Sequence, residues 1–233
     1  MSAGGVGEGA GPITGAAGDA TEPVVAASED ASEPIVAAHE DASEPIVAAD
    51  DDATASVAPL RVLFVCTANI CRSAFAEVLA RSLAGPDAGV VFASAGTYGL
   101  PAHPMSPEVA VHLPEGVTGE GFRSRRVTAG IVADADLILT AEASHRTYLL
   151  EEYPSVFRRI LTLGQFAEAA STSGLTGRAL LEDVARFRPR ARPEHDVADP
   201  YRRGAAANAA ATAQIERLLR VIVPALEASA HGR

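Results

Sequence analysis

Lysine and tryptophan are absent from this chain of 233 residues, and cysteine and methionine occur only twice each. Two cysteines cannot build a disulfide framework at this length, so the thiols are read as reduced and the protein as cytoplasmic. No stretch approaches the roughly 20 consecutive apolar residues needed to span a bilayer. The N-terminus shows no basic segment followed by an apolar one, so neither membrane insertion nor a secretory leader is predicted. All 19 basic residues are arginine, and no basic stripe is interleaved with aromatics. A nucleic-acid partner is therefore not predicted. Arginine in place of lysine, together with abundant Ala, Gly and Pro, reads as the bias of a GC-rich genome.

The charge is unevenly placed. The formal charge of −11 arises from 30 acids and 19 bases; twelve of the acids and none of the bases lie in residues 1–60. Residues 61–233 thus hold 18 acids against 19 arginines, close to neutrality. The acidic segment contains three copies of an 11-residue repeat, ATEPVVAASED, ASEPIVAAHED and ASEPIVAADDD, over residues 20–52. Each copy carries a proline that breaks a helix and too little apolar surface to offset the entropy of ordering. Residues 1–58 are therefore predicted to be a disordered acidic arm, with docking or tethering as the functional alternative. Residues 59–233 are predicted to form one domain.

From residue 60 the pattern becomes periodic. Leu60–Val65 fits a buried parallel strand. Ser73–Ala84 carries apolar residues at helical spacing. Gly89–Ala93, Leu137–Thr140 and Arg159–Thr162 read as further strands. Helices are predicted over Ser106–Leu113 (Ser106 as N-cap, Pro107 at the first helical position), Thr128–Val132, Ala143–Glu152, Gln165–Ala170 and Ala205–Glu227. The last presents Ile215, Leu218, Leu219 and Ile222 on one face. Residues 171–194 are read as a surface insertion around a possible helix at Arg178–Ala185. Strands alternating with helices imply an α/β fold with a parallel sheet covered on both faces, a three-layer sandwich.

The chemistry concentrates in Cys66-Thr67-Ala68-Asn69-Ile70-Cys71-Arg72-Ser73. A cysteine directly follows a buried strand, and an arginine opens the next helix. In a chain with 19 arginines, an arginine six residues after a given cysteine arises by chance about one time in twelve, so the context has to decide. A loop between a parallel strand and a helix turns its N–H groups inward, and the helix dipole adds to them, which makes an anion site. Arg72 can grip two oxygens of a bound phosphate through its planar fork. The same positive field favours a thiolate at Cys66, placed for in-line attack on phosphorus. Ser73 can donate a hydrogen bond to that sulfur, and Asn69 tolerates the left-handed backbone of a tight loop. The inert alternative for Cys66 is a buried structural cysteine. Cys71 also has two open readings, a small core residue or the partner of Cys66 in a reversible disulfide under oxidation.

Phosphoryl transfer to sulfur also needs a proton donor for the leaving group. Asp199-Pro200-Tyr201 offers one, with the proline stiffening the loop and Tyr201 an aromatic wall for a flat substrate. Asp196 is a nearby competitor, and an ordinary Asp-Pro turn is the plain alternative.

The stretch VLFVCTANICRSAFAE (62–77) resembles the signature of the low-molecular-weight protein-tyrosine phosphatases. SAGT (94–97), RRVT (125–128), DLILT (136–140) and Asp199-Pro200-Tyr201 resemble their later landmarks in the same order, over about residues 60–229. The resemblance implies a four-stranded parallel sheet of the phosphotyrosine protein phosphatase I type, a phosphocysteine intermediate, no metal or other cofactor, and a phosphotyrosine-containing protein as substrate. It implies Cys66 as nucleophile, Arg72 as transition-state stabiliser and Asp199 as general acid. Thr67, Ala68, Asn69, Ile70, Cys71, Ser73 and Tyr201 would form the substrate site, and Ser94 would join Asn69 in bracing the loop. The sequence departs from the family pattern at Ala68 and Ala74, where Gly and Pro are usual, and at Phe122, where some members have a histidine. Ala68 is expected to constrain the loop more than glycine, and Tyr98 is a candidate second wall.

Three other activities share such a loop. A thioredoxin-coupled arsenate reductase needs distant relay cysteines that this chain lacks. A phosphocysteine carrier needs neither Arg72 nor Asp199. A protein-arginine phosphatase tends to carry Thr where Ile70 stands, and Ile70 favours an aromatic ester.

Overall fold

A computed structural model describes residues 58–86 and 88–227. The arm predicted for residues 1–58 lies outside the described residues, apart from Ala58. Four parallel strands, β1 (Leu60–Cys66), β2 (Val90–Gly96), β3 (Leu137–Thr140) and β4 (Ile160–Thr162), form one sheet in the order β2-β1-β3-β4. Among the described residues, seven α-helices connect or follow them: α1 (Arg72–Leu83), α2 (Pro107–Ala110), α3 (Ala129–Ala133), α4 (Ala143–Glu152), α5 (Leu163–Ser173), α6 (Gly177–Arg186) and α7 (Ala205–Leu226).

The near-continuous apolar run of β1 is what a central parallel strand requires, because successive side chains go to opposite faces and both are covered. Val62 and Phe64 enter one core with α1, α5, α6 and α7; Leu63 and Val65 enter the other with α3 and α4. Phe64 stacks on Phe92 of β2, with ring centroids 5.9 Å apart. On α7, Ala211, Ile215, Leu219, Ile222 and Leu226 are buried along one stripe, while Leu218 is only partly covered. Each fully buried Leu or Ile contributes about 1.5–3 kcal/mol, so this helix fastens one face of the sheet.

Three expectations are corrected. β2 continues through Ser94 to Gly96 instead of stopping at Ala93, because pairing with β1 persists to Cys66. α2 ends at Ala110, and Ser106 makes no side-chain cap bond. Residues 177–186 are not a surface appendage. α6 buries Leu180 and Val184 completely in the larger core, and the helix is amphipathic, so its polar face alone gave the surface character.

The sheet sets the location of the site. β1 and β3 are central, and their carboxyl ends adjoin the loops after Cys66 and Thr140, where ligands of open parallel sheets are held.

Candidate active site

Cys66 is the last residue of β1 and Arg72 the first of α1, so five residues, 67–71, turn the chain between them. Carbonyls of this turn are drawn outward by the segment after β2. Thr97 N–H donates to Cys66 O at 2.9 Å, Tyr98 N–H to Thr67 O at 2.9 Å and Ser106 N–H to Ile70 O at 2.8 Å. The N–H groups of 68–72 find no acceptor among the described residues. They are the orphan donors of a helix start, free for an anion.

Asn69 holds the turn in shape. Its φ is 58°, in the left-handed region, and its side chain is fully buried. Nδ2 donates to Ser73 Oγ at 2.9 Å and to Ser94 Oγ at 2.7 Å, and Oδ1 accepts from the Arg125 N–H at 2.9 Å. Ser94 in turn donates to Glu77 at 2.5 Å. Ser73 Oγ lies 3.0 Å from Cys66 Sγ, close enough to donate to a thiolate. The side chains of Asn69 and Ser73 are buried and brace the loop, and neither side chain walls the cavity above Cys66. Ala68 is not in the left-handed region, so alanine there carries no left-handed backbone strain. The glycine of SAGT has a steric reason: a Cβ on Gly96 would lie 2.5 Å from Thr67 O, a backbone atom that cannot move without the loop.

The turn floors a cavity of about 200 Å3 whose walls are Cys66, Thr67, Ala68, Ile70, Cys71, Arg72, Asp199 and Tyr201. Residues more than 125 positions apart thus meet in one pocket. Tyr98 is not among its walls; it is exposed and packs against Tyr148, with ring centroids 6.0 Å apart.

Arg72 is almost wholly buried and is held from three sides. One Nη1 bond goes to Val197 O at 2.9 Å, Nη1 also pairs with Glu142 Oε1 at 2.9 Å, and Nη2 pairs with Asp199 Oδ1 at 3.2 Å. Asp199 is brought here because Val197 N–H donates to Ala141 O and the Ala143 N–H donates to Asp196 Oδ1, which straps the late loop to the end of β3. Asp196 is thereby committed to the first turn of α4, a structural role, and burial raises its carboxyl above the usual range.

Two residues of this site escaped the sequence reading. Glu142 orients Arg72, and His145 Nε2 lies 2.9 Å from Thr67 Oγ1 in the loop. Burial, then the charge of Arg72, lowers His145 to about 4, so the ring is neutral at physiological pH. Position was their one signal in the sequence: both follow the carboxyl end of a central parallel strand, which marks a ligand site but names no partner. Cys71 also lines the cavity, and burial followed by the charge of Cys66 raises its thiol to about 11. Both cysteines are free.

Residues 61–231 match the family described as low molecular weight phosphotyrosine protein phosphatase. The chain belongs to this family. Among its relatives is the low molecular weight protein-tyrosine-phosphatase Etp of Escherichia coli, 38% identical over 108 residues, which cover 46% of this chain and 71% of Etp. The probable low molecular weight protein-tyrosine-phosphatase EpsP of Ralstonia nicotianae is 28% identical over 168 residues, 72% of this chain and 96% of EpsP. Among solved structures, the YwlE arginine phosphatase from Geobacillus stearothermophilus superposes with a TM-score of 0.56 at 27% identity, covering 71% of this chain and 92% of that one. Membership of this family accords with the four-stranded parallel sheet. No helix among the described residues is long and apolar enough to cross a membrane.

Proposed function

We propose that this phosphatase hydrolyses phosphotyrosine in proteins through a phosphocysteine intermediate, with Cys66 as nucleophile, Arg72 as clamp and Asp199 as general acid, in the cytoplasm. The observation that carries the reading is the shared cavity of about 200 Å3 in which Cys66, Arg72 and Asp199 converge over a turn of unspent amides. The phosphoryl dianion is received by the amides of 68–72 and the Arg72 fork. The Cys66 thiolate attacks phosphorus in line; the S–P bond forms as the bond to the tyrosyl oxygen breaks, and Asp199 delivers a proton to that oxygen. Water then attacks phosphorus, Asp199 takes its proton, and the thiolate leaves. Ser73 donates to the sulfur in each thiolate state. Tyr201 and Ile70 supply apolar walls for an aromatic ring.

A second reading, protein-arginine phosphatase, is favoured by the likeness to YwlE. One experiment addresses both. The protein is assayed with p-nitrophenyl phosphate, a phosphotyrosine peptide and a phosphoarginine peptide, beside Cys66→Ser and Asp199→Ala. Turnover of the aryl ester and phosphotyrosine, abolished by Cys66→Ser and sharply reduced by Asp199→Ala, is expected. Preference for phosphoarginine would replace the substrate assignment, and inactivity of the reduced wild type on all three would defeat the hydrolase reading.

A further inference from the structure

A cavity of about 740 Å3 opens between α1 and the loop 116–125, roomier than the one above Cys66, with which it shares no wall residue. It lies beside β2, an edge strand of the sheet. Two arginines that line the cavity cap this edge. Arg81 donates to Phe92 O at 2.9 and 3.1 Å, and Arg125 Nε donates to Ser94 O at 2.8 Å.

The charges in the cavity are unequally satisfied. Arg81 is paired with Glu77 at 2.6 Å, and Glu77 also accepts from Ser94. Among the described residues, the Arg123 side chain spends one N–H, on the carbonyl of its own neighbour Phe122, at 2.7 Å, and the Arg125 side chain spends its Nε. No ion pair to Arg123, Arg125 or Glu120 is found among the described residues. A guanidinium carries five donors, so two forks on one wall remain largely unspent, opposed by the single carboxylate of Glu120. Such an excess suits an anion whose acidic groups are each taken by one fork.

The cavity is also wired to the phosphate loop. The Arg125 N–H donates to Asn69 Oδ1 at 2.9 Å, and Glu77 reaches Asn69 Nδ2 through Ser94. Both walls therefore end on the residue whose left-handed backbone shapes the turn.

We propose that this cavity binds a small, multiply charged anionic metabolite through Arg123 and Arg125, and that its occupancy is transmitted to the phosphate loop through Asn69. Binding is independent of the catalytic reading; only its effect on turnover rests on it. The test titrates the full chain with citrate, followed by amide NMR and by p-nitrophenyl phosphate kinetics. Citrate is expected to shift the signals of 116–125 saturably, with the Asn69 side-chain amide following, and to change turnover in a manner that excess substrate does not relieve. Arg123→Gln is expected to weaken citrate binding about tenfold or more and, without citrate, to keep kcat within about twofold of wild type. Glu120→Gln, which removes the opposing charge, is expected to tighten it. Shifts confined to residues 66–72, or equal citrate affinity in wild type and both variants, would overturn the proposal. Saturable cavity binding by a protein without turnover would count against the catalytic reading alone.

Discussion

Arg72 and Asp199 face each other at 3.2 Å over the cavity floored by Cys66. The clamp and the proposed acid thus neutralise one another when the cavity holds no phosphate, and an incoming dianion competes with the Asp199 carboxylate for the same Nη2 group. Replacing Asp199 by Asn removes both the proton donor and the competing charge. The kcat for an aryl phosphate is expected to fall about 10²–10³-fold, while vanadate or phosphate binds more tightly than to wild type. Steady-state kinetics with vanadate inhibition reads both. Weaker vanadate inhibition in Asp199→Asn would mean that the carboxylate does not compete.

Gly96 is set against the phosphate loop, where a Cβ would stand 2.5 Å from Thr67 O and 2.9 Å from Gly99 Cα. Gly96→Ala has to push the turn. A displacement on the order of 1 Å at the reacting centre costs about 100-fold in rate, so kcat/KM should fall by that order. A fold-preserving Gly96→Ala protein with wild-type kinetics would show that the turn tolerates the shift.

His145 adds a pH dependence to stability. Its folded value is lowered to about 4 from 6.5, by burial first and the Arg72 charge second. Between these values the unfolded chain binds the proton and the folded protein does not. Stability contributed by the neutral ring is therefore fully present above 6.5 and lost as pH falls toward 4. The loss is on the order of 3 kcal/mol. Urea unfolding at a series of pH values should show this slope in wild type and a shallower one in His145→Asn.

Cys71 is a buried thiol raised to about 11, and on its redox reading it closes a disulfide with Cys66. Iodoacetamide at neutral pH should label Cys66 alone, and phosphate should slow it. After peroxide converts Cys66 to a sulfenic acid, Cys71 attacks as a thiolate, closing a disulfide and displacing hydroxide, which a proton from solvent converts to water. Because so little of Cys71 is ionised, closure should accelerate about tenfold per pH unit below its pKa. Mass spectrometry after a peroxide pulse measures it. Recovery of Cys71→Ser by dithiothreitol as complete as that of wild type would remove the protective role.

Leu180 distinguishes a core helix from a surface insertion. It is fully buried on α6, whereas Phe187, just past the helix, is 75% exposed. Leu180→Ala should cost about 2–5 kcal/mol, and Phe187→Ser should stay within about 0.5 kcal/mol. Chemical denaturation separates the two, and equal small effects would return α6 to the periphery.

Much of this arrangement is local and therefore legible. The run Leu60–Val65 needs burial on both faces and can only be a central strand. The helix Ala143–Glu152 is bounded as its periodicity and the following Pro154 dictate. A cysteine loop that follows a buried parallel strand and leads into a helix opening on an arginine already implies an anion cradle. Glu142 and His145 were not legible, because what they do depends on partners 70 and 78 positions away, Arg72 and Thr67. Nothing in the spacing of charges says which carboxylate will face which guanidinium.

The amino-acid sequence alone determined the α/β alternation and the cysteine loop, because strand burial, helix periodicity and turn geometry are short-range properties. Only the tertiary structure decided that Asn69 and Ser73 stand behind the loop, that Asp196 is tied to α4 while Asp199 reaches Arg72, and that Arg123 and Arg125 open onto a second cavity. Those choices follow from how the sheet edge, α1 and the strapped late loop exclude one another in space, which no window of the chain contains.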